Sequence, residues 1–92
     1  MLLKGKIAIV TGASRGIGES IARSFIAQGA TVAFTYRSSE EKAKELEKSL
    51  TSGGGKARGF KSDASNMEDA ENLVKEVLET YGGIDIVVNN AG

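Results

Sequence analysis

The sequence predicts an α/β protein built on a parallel sheet, and three observations carry that prediction. Short apolar runs rich in β-branched residues alternate with segments of helical periodicity, in the order βαβαβαβ. Glycines and small polar residues punctuate the junctions between them. A glycine-rich turn joins the first apolar run to the first helix, where an open α/β sheet keeps its ligand. Strands joined by helices pair in parallel through right-handed crossovers, which places helices on both faces and gives three layers.

Each element follows from its residues. Lys6 to Thr11 is a short, almost continuous apolar run, the pattern of a strand buried on both faces. Gly12 to Gly16 is a turn. Ile17, Ile21, Ala22, Phe25 and Ile26 then recur at helical spacing, and Gly29 supplies the stop. Thr31 to Tyr36 is rich in β-branched and aromatic residues and reads as the second strand. Ser38 followed by Glu41 is a capping box, opening a helix to about Leu50 with Ala43, Leu46 and Leu50 on a narrow inner face. Thr51 to Gly55 is a loop, and Lys56 to Lys61, carrying Gly59, is the weakest strand pattern. Ser65 with Glu68 repeats the capping box ahead of a broad apolar face of Met67, Ala70, Leu73, Val74, Val77, Leu78 and Tyr81. Gly82-Gly83 ends that helix, and Ile84 to Asn89 is a fourth strand.

Composition narrows the function. The 92 residues form one small domain at most, spanning 1–92, with a thin stability margin. A content of 40% hydrophobic and 26% charged residues is ordinary for a globular protein. Twelve basic residues balance 12 acidic ones without a block of either sign, so no nucleic-acid footprint is expected. Cysteine is absent, which excludes disulfide and thiolate chemistry, and no metal site is expected. Histidine is absent too, which removes the commonest general base. With no signal-peptide pattern and no apolar run of membrane-spanning length, the expectation is a soluble, cytoplasmic protein.

The turn Thr11-Gly12-Ala13-Ser14-Arg15-Gly16-Ile17-Gly18 suits a pyrophosphate. Glycines bring backbone N–H groups close to an anion, and the helix beyond adds unpaired donors and the positive end of its dipole. The spacing is G-x-x-x-G-x-G rather than the more widespread G-x-G-x-x-G. No Lys follows Gly16 or Gly18, so a P-loop is excluded. Gly12 to Gly16 also satisfies G-x-S-x-G, a nucleophile elbow, but that Ser needs a His base that the chain lacks. Ser14 is better read as a hydroxyl bonding the turn or a phosphate.

An NAD site places Asp or Glu at the end of the second strand, to accept from the ribose 2′-OH. Here that position reads Tyr36-Arg37-Ser38-Ser39, and the first acid is Glu40, already in the helix. Arg37 can pair with a 2′-phosphate, with Ser38 donating beside it, and Arg15 can reach the same region. Two cations and no carboxylate favour NADP. The alternative for Arg37 is a solvated loop residue.

The turn motif together with Asn89-Asn90-Ala91-Gly92 resembles the short-chain dehydrogenase/reductases over the whole chain. The likeness is greatest to the bacterial 3-oxoacyl-[acyl-carrier-protein] reductases, which use NADPH in fatty-acid synthesis. It implies a Rossmann-type fold with sheet order 3-2-1-4. By the same resemblance Gly12, Ser14, Arg15, Ile17 and Gly18 line the phosphates, and Arg37 and Ser38 meet the 2′-phosphate. Asp63 with the backbone of Ala64 contacts adenine, Asn90 lies against the ribose, and Asn89 orders the sheet. Taken alone, Asp63 serves equally as a loop or capping residue.

The family's catalytic Asn, Ser and Tyr-x-x-x-Lys pair have no counterpart here. Tyr36 and Tyr81 have Glu40 and Asp85 four residues on, where Lys belongs. The expectation is a truncated half-domain that is inactive by itself, with no catalytic residue. One helix must then shield a sheet face meant for three, leaving strand 84–89 as an open edge. A homodimer through that edge would rebuild a sheet of about eight strands. Three readings follow: an NADP-binding module, a self-associating structural fragment, or one part of a split reductase.

Overall fold

The computed structural model describes residues 2–13, 16–38, 40–63 and 66–90. Seven elements follow in order: β1 (Ile7–Val10), α1 (Gly16–Ala27), β2 (Thr31–Tyr36), α2 (Glu40–Thr51), β3 (Lys56–Lys61), α3 (Met67–Tyr81) and β4 (Ile86–Val88). The strands pair in parallel in the order β3-β2-β1-β4, as the resemblance implied. β1 lies between β2 and β4, with Val10 opposite both Phe34 and Val88.

Alternation along the strands divides the core in two. Val10, Val32 and Phe34 point to one face and pack with Ala22 of α1 and Ala43, Leu46 and Leu50 of α2. Ile9, Ala33 and Phe60 point to the other and meet Leu73 and Val77 of α3. The first face carries two helices and the second carries one, as the handedness of the crossovers requires. Coverage differs accordingly. Val87 of β4 is 61% exposed, opposite Ile9 in register, while Val74 and Leu78 of α3 are 41% and 46% exposed. The apolar face of α3 is broader than the sheet surface that it covers.

The two sheet edges are treated differently. At the β3 edge Lys56, Arg58 and Lys61 are exposed, and Glu47 of α2 accepts the Gly59 N–H at 3.3 Å. Charge and a side-chain cap of this kind discourage strand addition. The β4 edge presents Ile86, Val87 and Val88, with no charge among them. Gly59, which weakens the strand pattern in sequence, is required by packing. A Cβ there would stand 2.9 Å from two ring carbons of Phe34.

Several boundaries shift from the expectation. β4 is shorter than 84–89 because side chains end its ladder at both ends. The Asp85 carboxylate takes the Ile7 N–H at 2.9 Å, and the Thr11 hydroxyl takes the Asn90 N–H at 2.9 Å. α3 is capped by Asn66, not Ser65: its side-chain oxygen accepts the Asp69 N–H at 3.1 Å. The side chain one residue closer to the helix has the reach for that bond. Ser65 itself lies outside the described residues. α2 begins at Glu40, so Ser38 stands one residue too early to cap it and offers its carbonyl to the Glu40 N–H instead. The far end of α3 is as expected, with Gly82 left-handed at φ +82° and its N–H on the Leu78 carbonyl.

Candidate nucleotide-binding site

The carboxyl ends of β1, β2 and β4 meet around the glycine turn. Thr11, the first residue past β1, ties it to β4. Its N–H bonds the Val88 carbonyl at 3.0 Å, and its hydroxyl lies 3.3 Å from both the Val88 carbonyl and the Asn89 side-chain oxygen. Thr11 thereby fixes Asn89 and Asn90 beside the turn.

Gly12 then leaves the sheet with φ +67°, a conformation that favours glycine. Its N–H donates to the Thr35 hydroxyl at 3.0 Å, and the next N–H, from Ala13, donates to the Thr35 carbonyl at 3.2 Å. The Gly12 carbonyl accepts from the Asn90 side-chain amide at 3.5 Å. Gly18, in the first turn of α1, closes the packing. A Cβ on it would stand 2.5 Å from the Gly12 oxygen, 2.7 Å from the Asn90 amide nitrogen and 2.9 Å from the Ala13 Cα. Gly16 differs, since its Cβ position is open space and only its φ of +64° calls for glycine. The helix is thus drawn against the turn, and its N-terminus, the end of a helix that offers backbone donors to an anion, lies at the carboxyl edge of the sheet.

The second part of the site lies at the end of β2. The Arg37 guanidinium is 78% exposed and stands 3.8 Å from the Asp63 carboxylate, just past β3. Asp63 is itself held by its N–H, which donates to the Asp69 carboxylate at 2.9 Å. Ser38 is exposed beside Arg37. Neither simple reading of Arg37 is complete, because it is both solvated and paired.

The structure therefore brings Gly12, Gly18 and Asn90 into one packed unit, and sets Arg37, Ser38 and Asp63 together at a neighbouring corner. Ile17 is 72% exposed on α1, at the mouth of the turn. Ser14, Arg15 and Ala64 lie outside the described residues. Thr35 and the carboxylate of Asp69 were not singled out from the sequence. A Thr in a strand carries no mark of function, and the Asp69 bond depends on how α3 returns to the sheet. Among the described residues no group of three acidic, His or Cys side chains could hold a metal ion. None of the helices described is long and apolar enough to cross a membrane.

The comparisons with known proteins agree on one family. Residues 6–92 match the family model described as short chain dehydrogenase. The chain is 43% identical over 90 residues to 3beta-hydroxysteroid dehydrogenase 1 of Eggerthella lenta, covering 98% of this chain and 34% of that protein. It superposes on a short chain dehydrogenase from Burkholderia cenocepacia in complex with NADP with a TM-score of 0.96 and 43% identity, covering 100% of this chain and 38% of the other. A blue fluorescent protein from a metagenomic library, in complex with NADPH, gives a TM-score of 0.95 at 39% identity, with 100% and 38% covered. The chain thus spans about a third of the length of the proteins it matches.

Proposed function

The chain belongs to the short chain dehydrogenase family, and from that membership we propose that it supplies the NADP(H)-binding half of a short-chain ketoreductase. The observation that carries the choice of cofactor is Arg37. The end of β2, where an NAD site keeps a ribose-binding carboxylate, presents a guanidinium instead. Asp63 at 3.8 Å does not cancel it, because a phosphate brings more charge and more acceptor oxygens than one carboxylate. Two solved relatives in complex with NADP and NADPH support the same reading.

The residues present fit that cofactor. Gly12, Gly18 and the start of α1 would hold the pyrophosphate, with Ser14 and Arg15 completing the turn. Arg37 and Ser38 would take the 2′-phosphate, Asp63 and Ala64 the adenine, and Asn90 the ribose. Gly18 keeps the approach narrow and Ile17 shields one side of it. When bound, NADPH supplies a hydride to a carbonyl carbon. The parent reaction we propose is reduction of a 3-oxoacyl thioester in fatty-acid synthesis, in the cytoplasm. These 92 residues include no Tyr-x-x-x-Lys pair, so the part we propose for them is the cofactor site and not the proton donor.

Amide shifts mapped by NMR during titration with NADP⁺ test the binding site. Gly12, Gly18, Arg37 and Asn90 are expected to move together, and shifts confined to other surfaces would rule the site out. NADPH oxidation with an acetoacetyl thioester tests the inactivity. None is expected from this chain alone, and turnover that appears when the rest of a related reductase is added would identify a split enzyme.

A second reading has its own observation. The uncharged β4 edge and the half-exposed Val87, Val74 and Leu78 support self-association of the chain as a homodimer. Sedimentation should show a dimer at micromolar concentration that Val87→Lys disperses, whereas a stable folded monomer contradicts it.

A further inference from the structure

We propose that Thr35 is a positioning residue for the phosphate turn, an inference that rests on the NADP-binding reading above. Thr35 belongs to β2, not to the turn, and is 3% exposed. Where the chain leaves β1 at Gly12, the backbone turns out of the ladder and its N–H loses a strand partner. The Thr35 hydroxyl accepts that N–H, and the Thr35 carbonyl accepts the one after it. One residue thus holds two successive turn amides inward, against the sheet. The division is functional: the Gly12 and Ala13 amides anchor the turn, which leaves the N–H groups from Gly16 onward to face an anion.

Thr35 also stands two residues before Arg37 on the same strand end. Through it, the pyrophosphate turn and the 2′-phosphate cation are tied to one rigid piece of backbone, so their spacing is set before any ligand arrives. A cofactor that spans both groups benefits from that spacing, whereas a ligand reaching only Arg37 does not. Valine at this position keeps the shape and removes the acceptor. Serine keeps the acceptor.

The experiment titrates the wild-type chain, Thr35→Val and Thr35→Ser with NADP⁺ and with adenosine 2′-monophosphate, which lacks the pyrophosphate. The valine variant should bind NADP⁺ about tenfold more weakly, the serine variant within about twofold of wild type, and all three should bind the monophosphate alike. NADP⁺ affinity unchanged in Thr35→Val overturns the proposal, as does a parallel loss of monophosphate binding, which marks a general structural role. Wild type that binds no NADP⁺ sinks instead the reading on which the proposal rests. Hydrogen exchange on the wild type gives an independent reading should the valine variant not fold. The Gly12 amide is expected to be protected like the interior of β2, and exchange at the rate of an open loop would overturn the assignment.

Discussion

The glycine turn and the Arg37 corner sit side by side at the carboxyl ends of the strands, yet they are built from opposite materials. The turn is close-packed where Ala13 and Gly18 are buried, uncharged among its described residues and held by short-range contacts: Gly12 on Thr35, Gly18 against Gly12, Asn90 on Gly12. The corner is electrostatic and open to solvent on the Arg37 side, with the guanidinium 78% exposed and 3.8 Å from the Asp63 carboxylate. Packing tolerates little change, whereas an exposed charge can be exchanged without disturbing the fold. In the function proposed above, the turn would determine whether a dinucleotide binds, and the corner which one.

Breaking the turn should produce the largest effect. Gly18→Ala puts a methyl group 2.5 Å from the Gly12 carbonyl oxygen. Backbone cannot give way as a flexible side chain does, so overpacking of about 2 kcal/mol is expected despite the better helix propensity of Ala. Denaturant unfolding should show that loss, and NADP⁺ titration should show no measurable binding. A variant as stable as wild type with intact binding would mean that the turn is not close-packed.

Changing the corner should act on selectivity alone. Arg37→Gln removes a charge-assisted bond worth about 1.5–3 kcal/mol, so NADP⁺ affinity should fall roughly 10- to 100-fold. NAD⁺ affinity and the unfolding midpoint should stay close to wild type. Loss of both nucleotides together would place Arg37 with the turn and dissolve the comparison.

How much of this was legible in the sequence follows the same division. The turn was readable because its chemistry is local: glycines, strand and helix follow one another within a dozen positions. The cation at the end of β2 was readable from the absence of an acid there. Cross-strand partners were not. The Thr35 hydroxyl bond to Gly12 joins residues far apart in the chain, and the Arg37 pairing with Asp63 requires β2 and β3 to be neighbours in register. The strand order itself came from family resemblance, since alternating elements alone do not fix it. Helix starts were misplaced by one residue because Ser65 and Asn66 are both good caps, and only backbone geometry selects Asn66.

Salt sharpens the comparison further. Exposed charges are screened within about 8 Å at physiological ionic strength, whereas buried ones are screened much less. Raising salt from about 0.05 to 0.5 M should weaken NADP⁺ more than NAD⁺, reducing the preference between them several-fold. Equal weakening of both would assign the charge effect to the turn.

The smallest expected effect lies outside both regions and serves as a control. Partial burial raises the Tyr81 pKa above its ordinary value of 10.0, with Arg58 opposing the shift and Glu47 adding to it. The folded state therefore holds that proton more tightly than the unfolded chain does. The resulting stability is complete below pH 10 and is lost as pH rises past it. Urea midpoints at pH 8 and pH 11 should fall further in wild type than in Tyr81→Phe, and an equal fall would show that Tyr81 ionises as freely in the fold as outside it.

One measurement tests the central claim directly, namely calorimetric titration of the 92-residue chain with NADP⁺ and NAD⁺ at low salt. Saturable binding of one NADP⁺ per chain, at least about tenfold tighter than NAD⁺, is the expected result. Heat from neither nucleotide, or equal affinity for both, would contradict it.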